Sequence, residues 1–257
     1  MEKYGIIENA AIAVRFEPSE KSEMVTQVLF GETVKIINET ETWYQIETIF
    51  DNYPGWIDKK TITLIDHDYL KSIESNYIEV AKNPVCVIRN TNSDESILIP
   101  MSSSLPFYNK KDGSFTINET NYFLNNPTSN QVFSISEHAL TLLNAPYLWG
   151  GKNPFGIDCS GFVQVVFKTV GLKLPRDASQ QVNIGKTIEF FDQIKPGDLA
   201  FFDNEEGKII HVGIIISKNE IIHASGKVRI DTIDHQGIFN KEIKDYTHKL
   251  RIIKRIN

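Results

Sequence analysis

Residues 147–162 read Tyr147-Leu-Trp-Gly-Gly-Lys-Asn-Pro-Phe-Gly-Ile-Asp-Cys159-Ser-Gly-Phe162, a glycine-rich approach that leads straight into an apolar, helix-spaced run. The spacing of Phe162, Val166 and Val170 predicts a helix from Asp158 or Cys159 to about Val170, with Gly171 as its stop. A thiol at a helix N-terminus faces unpaired backbone N–H groups and the positive end of the helix dipole. Its thiolate is therefore favoured, and its pKa is expected to fall. The same amides can receive the oxyanion of a tetrahedral intermediate. The ordinary alternative is a small buried cysteine, since free cysteines are among the most buried residues.

Working outward, Ser134-Ile-Ser-Glu137 forms a capping box for a helix through about Asn144, ended by Pro146. A shorter helix is expected from about Asp177 to Ile184, before Gly185. The rest reads as strands, at 199–202, 209–216, 220–224, 228–233 and 250–256. Helices followed by an antiparallel sheet make an α+β domain. His211 stands in Lys-Ile-Ile-His-Val-Gly-Ile, on the opposite face from Ile210 and Val212, where a strand packed on the cysteine helix can bring it to the thiol as a base. His223, in Glu-Ile-Ile-His-Ala-Ser-Gly, follows a turn at Lys218-Asn219. On the neighbouring strand it can orient the His211 imidazole as the third group of a triad. Either histidine alone is more ordinarily a satisfied core or edge residue; the three together point to nucleophilic catalysis.

The N-terminal half has a different texture. From Ala11 to about Leu64, short alternating runs such as Ala-Ile-Ala-Val-Arg-Phe and Trp-Tyr-Gln-Ile-Glu-Thr are punctuated by Gly31, Pro54 and Gly55, the pattern of a small all-β barrel. A short connector helix is expected over 68–77, with Tyr69, Leu70, Ile73 and Tyr77 on one face and Asp68 as cap. A second β-rich segment runs from about Val80 to Leu124, with a turn at Asp112-Gly113, and the polar run 125–130 reads as a boundary. The expected organisation is thus 1–65, first barrel; 66–79, connector; 80–125, second barrel; and 126–257, the α+β domain.

Across the 257 residues the composition is that of an ordinary globular protein, 41% hydrophobic and 23% charged. A net charge of −6 and the lack of a basic stripe argue against nucleic acid or an anionic membrane as partner. The opening residues lack the pattern of a secretory signal, so a cytoplasmic monomer is expected, or a periplasmic or secreted one if the chain is a trimmed mature form. Cys86 and Cys159 lie in segments of different character, so no disulfide is expected. Neither a metal motif nor a phosphate loop is found, and no cofactor is expected: Gly150-Gly151-Lys152 lacks the spacing of the latter.

Six phrases in order over the C-terminal half, Y-L-W-G-G, D-C-S-G-F, L-P-R-D-A-S-Q-Q, P-G-D-L-A-F-F, H-V-G-I and H-A-S-G, resemble the NlpC/p-sixty (NlpC-type) family of papain-like cysteine peptidases. The phrases S-E-M-V-T-Q-V-L-F-G-E, W-Y-Q-I and G-W-I resemble the bacterial SH3-like domain. The resemblance implies a Cys159–His211–His223 triad that hydrolyses γ-D-glutamyl bonds of peptidoglycan stem peptides. It also implies that Tyr147 points its hydroxyl into the catalytic centre and that Trp149, Asp158 and Ser160 line the substrate groove. Tyr147 and Trp149 are otherwise core aromatics, and Asp158 a helix cap. SH3-like modules ahead of the peptidase most resemble the γ-D-glutamyl-L-diamino acid endopeptidase (dipeptidyl-peptidase VI) branch, in which carboxylates hold the free α-amine of L-Ala. Asp177 matches one of these and Glu23 the other, with Tyr53 nearby. Ala178 departs from the pattern, which has a hydroxyl residue after the aspartate. Two other readings keep part of this picture: an amidase or acyltransferase on the same fold, or a cell-wall binding protein whose peptidase domain is idle.

Overall fold

The computed structural model describes residues 2–76, 78–125 and 133–256, which divide into two compact units, Met1–Gln131 with Lys152–Pro154, and Val132–Gly151 with Phe155–Asn257. Tyr77, expected on the connector helix, and most of the expected boundary at 125–130 lie outside the described residues.

In the first unit, β1 (Lys3–Ile6), β2 (Ala11–Arg15), β3 (Met24–Leu29), β4 (Thr33–Glu39), β5 (Trp43–Thr48), β6 (Pro54–Asp58) and β7 (Thr63–Ile65) form one antiparallel sheet in the order β3-β2-β6-β5-β4-β1-β7. Period-2 alternation sends Ile12, Val14, Val28, Val34, Ile36, Ile46 and Ile57 into one apolar cluster. Each fully buried aliphatic contributes roughly 1.5–3 kcal/mol relative to an exposed one. Strand β1, too short to show alternation, was not expected from the sequence.

Helix α1 (His67–Glu74) is capped by Asp66, whose side chain accepts from the Tyr69 N–H, and not by Asp68, which falls in the first turn. It is more than a connector. Leu70 and Ile73 share a core with Tyr4, Ile6, Phe30 and Ile65 and with Ile88, Ile99, Phe115, Tyr122 and Leu124 of the second β-segment. That segment folds as β8 (Glu79–Val80), β9 (Val85–Asn90), β10 (Ser96–Pro100), β11 (Ser104–Leu105), β12 (Ser114–Ile117) and β13 (Thr120–Asn125), with sheet order β10-β9-β13-β12 and a separate β8/β11 ladder. Cys86 is buried in this core.

The second unit begins with α2 (Ile135–Thr141), which carries the Ser134/Glu137 capping box but stops short of Asn144. Helix α3 (Cys159–Thr169) is buried along its whole length. Its valines are poor intrinsic helix formers, so burial and the Asp158 cap hold it in place more than propensity does. Helix α4 is one turn, Ala178–Gln181, shorter than expected.

The strands are β14 (Lys186–Ile188), β15 (Leu199–Asp203), β16 (Ile209–Ser217), β17 (Glu220–Ser225), β18 (Lys227–Ile233), β19 (Gly237–Asn240) and β20 (Asp245–Arg255), in the order β14-β20-β15-β16-β17-β18-β19. Strand β20 also pairs with β19, which closes the sheet into a barrel around Ala200, Phe202, Ile215, Ile221, Ile233, Ile238 and Ile253. No helix among the described residues is long and apolar enough to cross a membrane.

Candidate active site

Cys159 is the first residue of α3, and Asp158 is its N-cap, with Oδ1 accepting from the Gly161 N–H at 2.7 Å. The second carboxylate oxygen accepts from the Gly150 N–H at 2.9 Å, and the positive φ of 76° at Gly150 lets the glycine-rich approach fold back onto the cap. Behind the cap lies Arg176, 1% exposed, which grips Asp158 through two hydrogen bonds of 3.0 and 2.5 Å and donates to Ser160 Oγ at 2.9 Å. A buried arginine of this kind requires a paired carboxylate. Asp158 and Ser160 are themselves buried, so both groove candidates are engaged with Arg176.

The thiol does not have the low pKa expected of a helix N-terminus. Burial, and then the adjacent Asp158 carboxylate, push Cys159 up to about 11, while the N–H groups of Val212 and Ser160 and the charge of Arg176 act in the other direction. The hydrogen bond from Val212 places the sulfur against the backbone of the residue that follows His211. Tyr147 is pushed up to about 12, first by burial and then by the negative charges of Cys159 and Asp158, so its hydroxyl stays protonated.

His211 and His223 meet inside the barrel at the open end of the β16–β17 hairpin, away from its turn. His211 Nε2 lies 2.8 Å from His223 Nδ1, and His223 Nε2 lies 3.0 Å from Asp231 Oδ2. Arg229 donates to both oxygens of Asp231, at 2.6 and 2.9 Å. Opposite His223 the register places Gly213, and a Cβ there would come within 2.8 Å of His223 Cβ and 2.7 Å of Ile221 Cδ1. The glycine of His-Val-Gly thus leaves the room that the Ile221 side chain and the His223 Cβ take up.

The direction of this chain follows from its end. Burial acts to raise the Asp231 carboxyl, but the hydrogen bonds from His223 and Arg229 outweigh it and hold the group down at about 2. As a carboxylate it only accepts, so His223 carries its proton on Nε2 and offers Nδ1 as acceptor. His211 must then donate through Nε2, which leaves its Nδ1 unprotonated, as a base requires. Burial first, then His223 and His248, keep the pKa of His211 well below its ordinary value. The His248 ring stacks on that of His211 at 4.2 Å, and Phe202 packs against it at 5.7 Å, so the imidazole is held by packing as well as by hydrogen bonds.

Sequence reasoning did not single out Asp231, Arg229, His248 or Arg176. Two charged residues within the strand Val-Arg-Ile-Asp-Thr were the available signal, since alternation puts Arg229 and Asp231 on the same face as each other.

Of the other candidates, Trp149 is 61% exposed on the approach to α3. Asp177 precedes α4 and is half-buried. Glu23 and Tyr53 belong to the first unit, in the turns before β3 and β6; Arg15 pairs with Met24 on one side and Trp56 on the other, so the two turns flank the same strand end. Among the described residues no group of His, Cys, Asp and Glu is arranged to hold a metal ion.

The closed barrel, the helix that starts on a cysteine and the imidazole pair define a papain-like thiol hydrolase. Residues 144–247 match the model of the NlpC/P60 family, and residues 14–62 that of the bacterial dipeptidyl-peptidase SH3 domain. A γ-D-glutamyl-L-lysine dipeptidyl-peptidase of Bacillus subtilis (strain 168) is 32% identical over 239 residues, 85% of this chain and 78% of the relative. Another of that name from Bacillus cereus (strain ATCC 10987) is 24% identical over 79% of this chain and 68% of the relative. The crystal structure of a NlpC/P60 family protein from Bacillus cereus ATCC 10987 superposes with a TM-score of 0.82, at 18% identity, over 98% of this chain and 99% of that one. The chain belongs to the NlpC/P60 family of cysteine peptidases.

Proposed function

We propose that the chain cuts the γ-D-glutamyl-L-diamino acid bond of peptidoglycan stem peptides that begin with a free L-Ala, releasing a dipeptide. One observation carries this reading: the similarity to the dipeptidyl-peptidase of Bacillus subtilis extends over 85% of the chain and so takes in the SH3-like region as well as the peptidase region.

In this reading the Cys159 thiol gives its proton to His211 Nδ1 as the sulfur attacks the γ-carbonyl. With the thiol raised and His211 lowered, the resting pair is neutral, so proton transfer accompanies attack. The carbonyl electrons move to an oxyanion, and the Ser160 N–H beside the sulfur is a candidate donor to it. Collapse breaks the C–N bond, His211 passes its proton to the leaving amine, and a thioester remains on Cys159. Water, deprotonated by His211, then hydrolyses the thioester and restores the thiol. His223 and Asp231 fix the tautomer throughout, and Tyr147 stands at the edge of this centre as a neutral hydroxyl.

Asp177, Glu23 and Tyr53 retain the role that the family resemblance implies, recognition of the free amine. The experiment is mass spectrometry and kcat/KM on L-Ala-γ-D-Glu-L-Lys with its amine free or acetylated. Unpaired carboxylates in a desolvated site cost ~2–5 kcal/mol, so the acetylated peptide is expected to be slower by about thirtyfold or more. Glu23→Gln should narrow the gap. Equal rates on both peptides, or cleavage at another bond, would refute the assignment.

A further inference from the structure

The thiol stands in the chain between two buried residues, Asp158 and Ser160, and one side chain holds both of them. Arg176 Nη1 donates to Asp158 Oδ1 at 3.0 Å and to Ser160 Oγ at 2.9 Å, while Nη2 donates to Asp158 Oδ2 at 2.5 Å. Arg176 is the largest of the fully buried side chains among the described residues. A second buried side chain reaches the same turn. Gln181, 0% exposed, donates through Nε2 to the Ser160 carbonyl at 3.0 Å and to the Pro175 carbonyl at 2.9 Å, which ties the segment that carries Arg176 to the backbone of α3.

Helix capping alone does not call for this arrangement. Asn or Ser caps a helix about as well as Asp, and a neutral cap needs no counter-charge. An anion next to the nucleophile also works against the thiolate: burial and then Asp158 raise Cys159, and the charge of Arg176 opposes them. Nor is a buried ion pair a strong source of stability, since the desolvation of both groups offsets most of their attraction. What the pair supplies is direction. A carboxylate gripped by a planar guanidinium fork is held in one orientation, so its oxygens stay aimed at the Gly161 N–H at 2.7 Å and the Gly150 N–H at 2.9 Å, one after Cys159 in the chain and one before it.

We infer that Arg176 is a positioning residue for the reaction: by fixing Asp158 and Ser160 together it sets the first turn of α3, and with it the direction of the Cys159 sulfur and of the Ser160 N–H. The inference rests on Cys159 as the nucleophile of the proposed reaction.

The test is Arg176→Lys in the full chain, assayed by kcat and KM on L-Ala-γ-D-Glu-L-Lys and by the rate at which iodoacetamide alkylates Cys159, read by mass spectrometry of the peptide that carries it. Lysine keeps the positive charge but not the fork, so it cannot hold both oxygens of Asp158 and Ser160 Oγ in one fixed geometry. A small misplacement of the reacting groups should lower kcat about ten- to hundredfold and leave KM within about threefold. Alkylation needs an accessible thiolate and no oxyanion donor, so its rate should stay within about threefold of wild type. A merely structural arginine would instead lower the melting temperature and leave kcat of the folded variant unchanged. A fall in kcat of less than about tenfold in folded Arg176→Lys overturns the inference. An alkylation rate that falls in step with kcat overturns it as well, since Arg176 would then act on the thiol by its charge. Should Arg176→Lys not fold, the double variant Asp158→Asn with Arg176→Met decides, because it keeps a cap and removes both charges: a fall in kcat of about tenfold or more supports positioning and a smaller one removes it. If the wild-type protein does not cut the peptide, or Cys159→Ala still does, the proposed reaction fails and the inference goes with it.

Discussion

The first unit and the second each wrap a curled antiparallel sheet around a core, but they fill that core differently. In the first, the cluster inside β2–β6 is aliphatic apart from one tyrosine. In the second, apolar residues fill only part of the barrel, and His211, His223, Asp231 and His248 occupy another part of its interior. Four titratable side chains are a poor way to fill a core, since each must be desolvated and then satisfied. Hydrogen bonds join His211, His223 and Asp231 into one chain that ends on a bidentate arginine, and His248 stacks on its first ring. The difference marks one barrel as a scaffold and the other as the holder of a reaction centre.

This contrast predicts that damage to the interior of the second barrel is chemical while damage to the core of the first is thermodynamic. Cys159→Ala should lower kcat by on the order of 10⁴-fold or more with an unchanged melting temperature, because no neighbouring group replaces the thiol. Substantial turnover by the purified variant would defeat the nucleophile assignment. His211→Ala should behave alike, and His223→Ala should lose less. In the first barrel, Ile46→Ala should cost about 2–5 kcal/mol of stability, read by denaturant unfolding, while kcat of the folded protein is kept.

Asp231→Asn separates orientation from packing. The amide is isosteric, but it can donate to His223 Nε2 and so reverse the direction of the chain, leaving the proton of His211 on Nδ1, where a base needs a lone pair. A fall in kcat of about 10²–10⁴-fold is expected, with little change in KM. If activity persists within a few-fold of wild type, Asp231 holds the barrel and not the tautomer.

The sequence carried the elements that local chemistry writes plainly. Cys159 was legible because glycines precede it and an apolar helical period follows; His211 and His223 were legible because they interrupt β-branched strands. Cap choice at Asp66 rather than Asp68 was not, since both residues are good caps and the outcome depends on where Leu70 and Ile73 must point to reach the core. Closure of the barrel was equally hidden, because β19 is four residues long and gains its place only by pairing with β18 and β20. The direction of the Cys159 shift was misjudged for a related reason: the helix amides are visible in the sequence, but burial and the orientation of the Asp158 carboxylate are tertiary facts. Asp231 and Arg229 escaped notice because an alternating strand with two charges ordinarily has a solvated face, and only the register that sets Arg229 opposite His223 turns that face inward.

The smallest expected effect is a shift in pH profile, and its sign tests the same buried chain. Only neutral His211 can accept the thiol proton, so kcat/KM falls as pH drops through the pKa of His211. Burial disfavours the imidazolium, and His223 and His248 add to that, so the acid limb should lie below the ordinary histidine value of about 6.5. The titratable groups against the ring are His223 and His248, with Asp231 and then Arg229 further along the hydrogen-bonded chain, and the Cys159 sulfur lies at the backbone of the next residue, Val212. Of these the thiol is held up at about 11 and His248 is pushed down to about 4, chiefly by burial, so neither changes charge near neutral pH. Replacing His248 by Phe keeps a ring against His211 and removes one of the three influences that lower it. The acid limb should therefore move toward higher pH by less than about one unit, because burial, the leading cause, remains. A limb at or above 6.5 in the wild-type protein would show that His211 is more hydrated in solution than the closed barrel allows. A downward shift in His248→Phe would show that the stacked ring supports the imidazolium instead of opposing it.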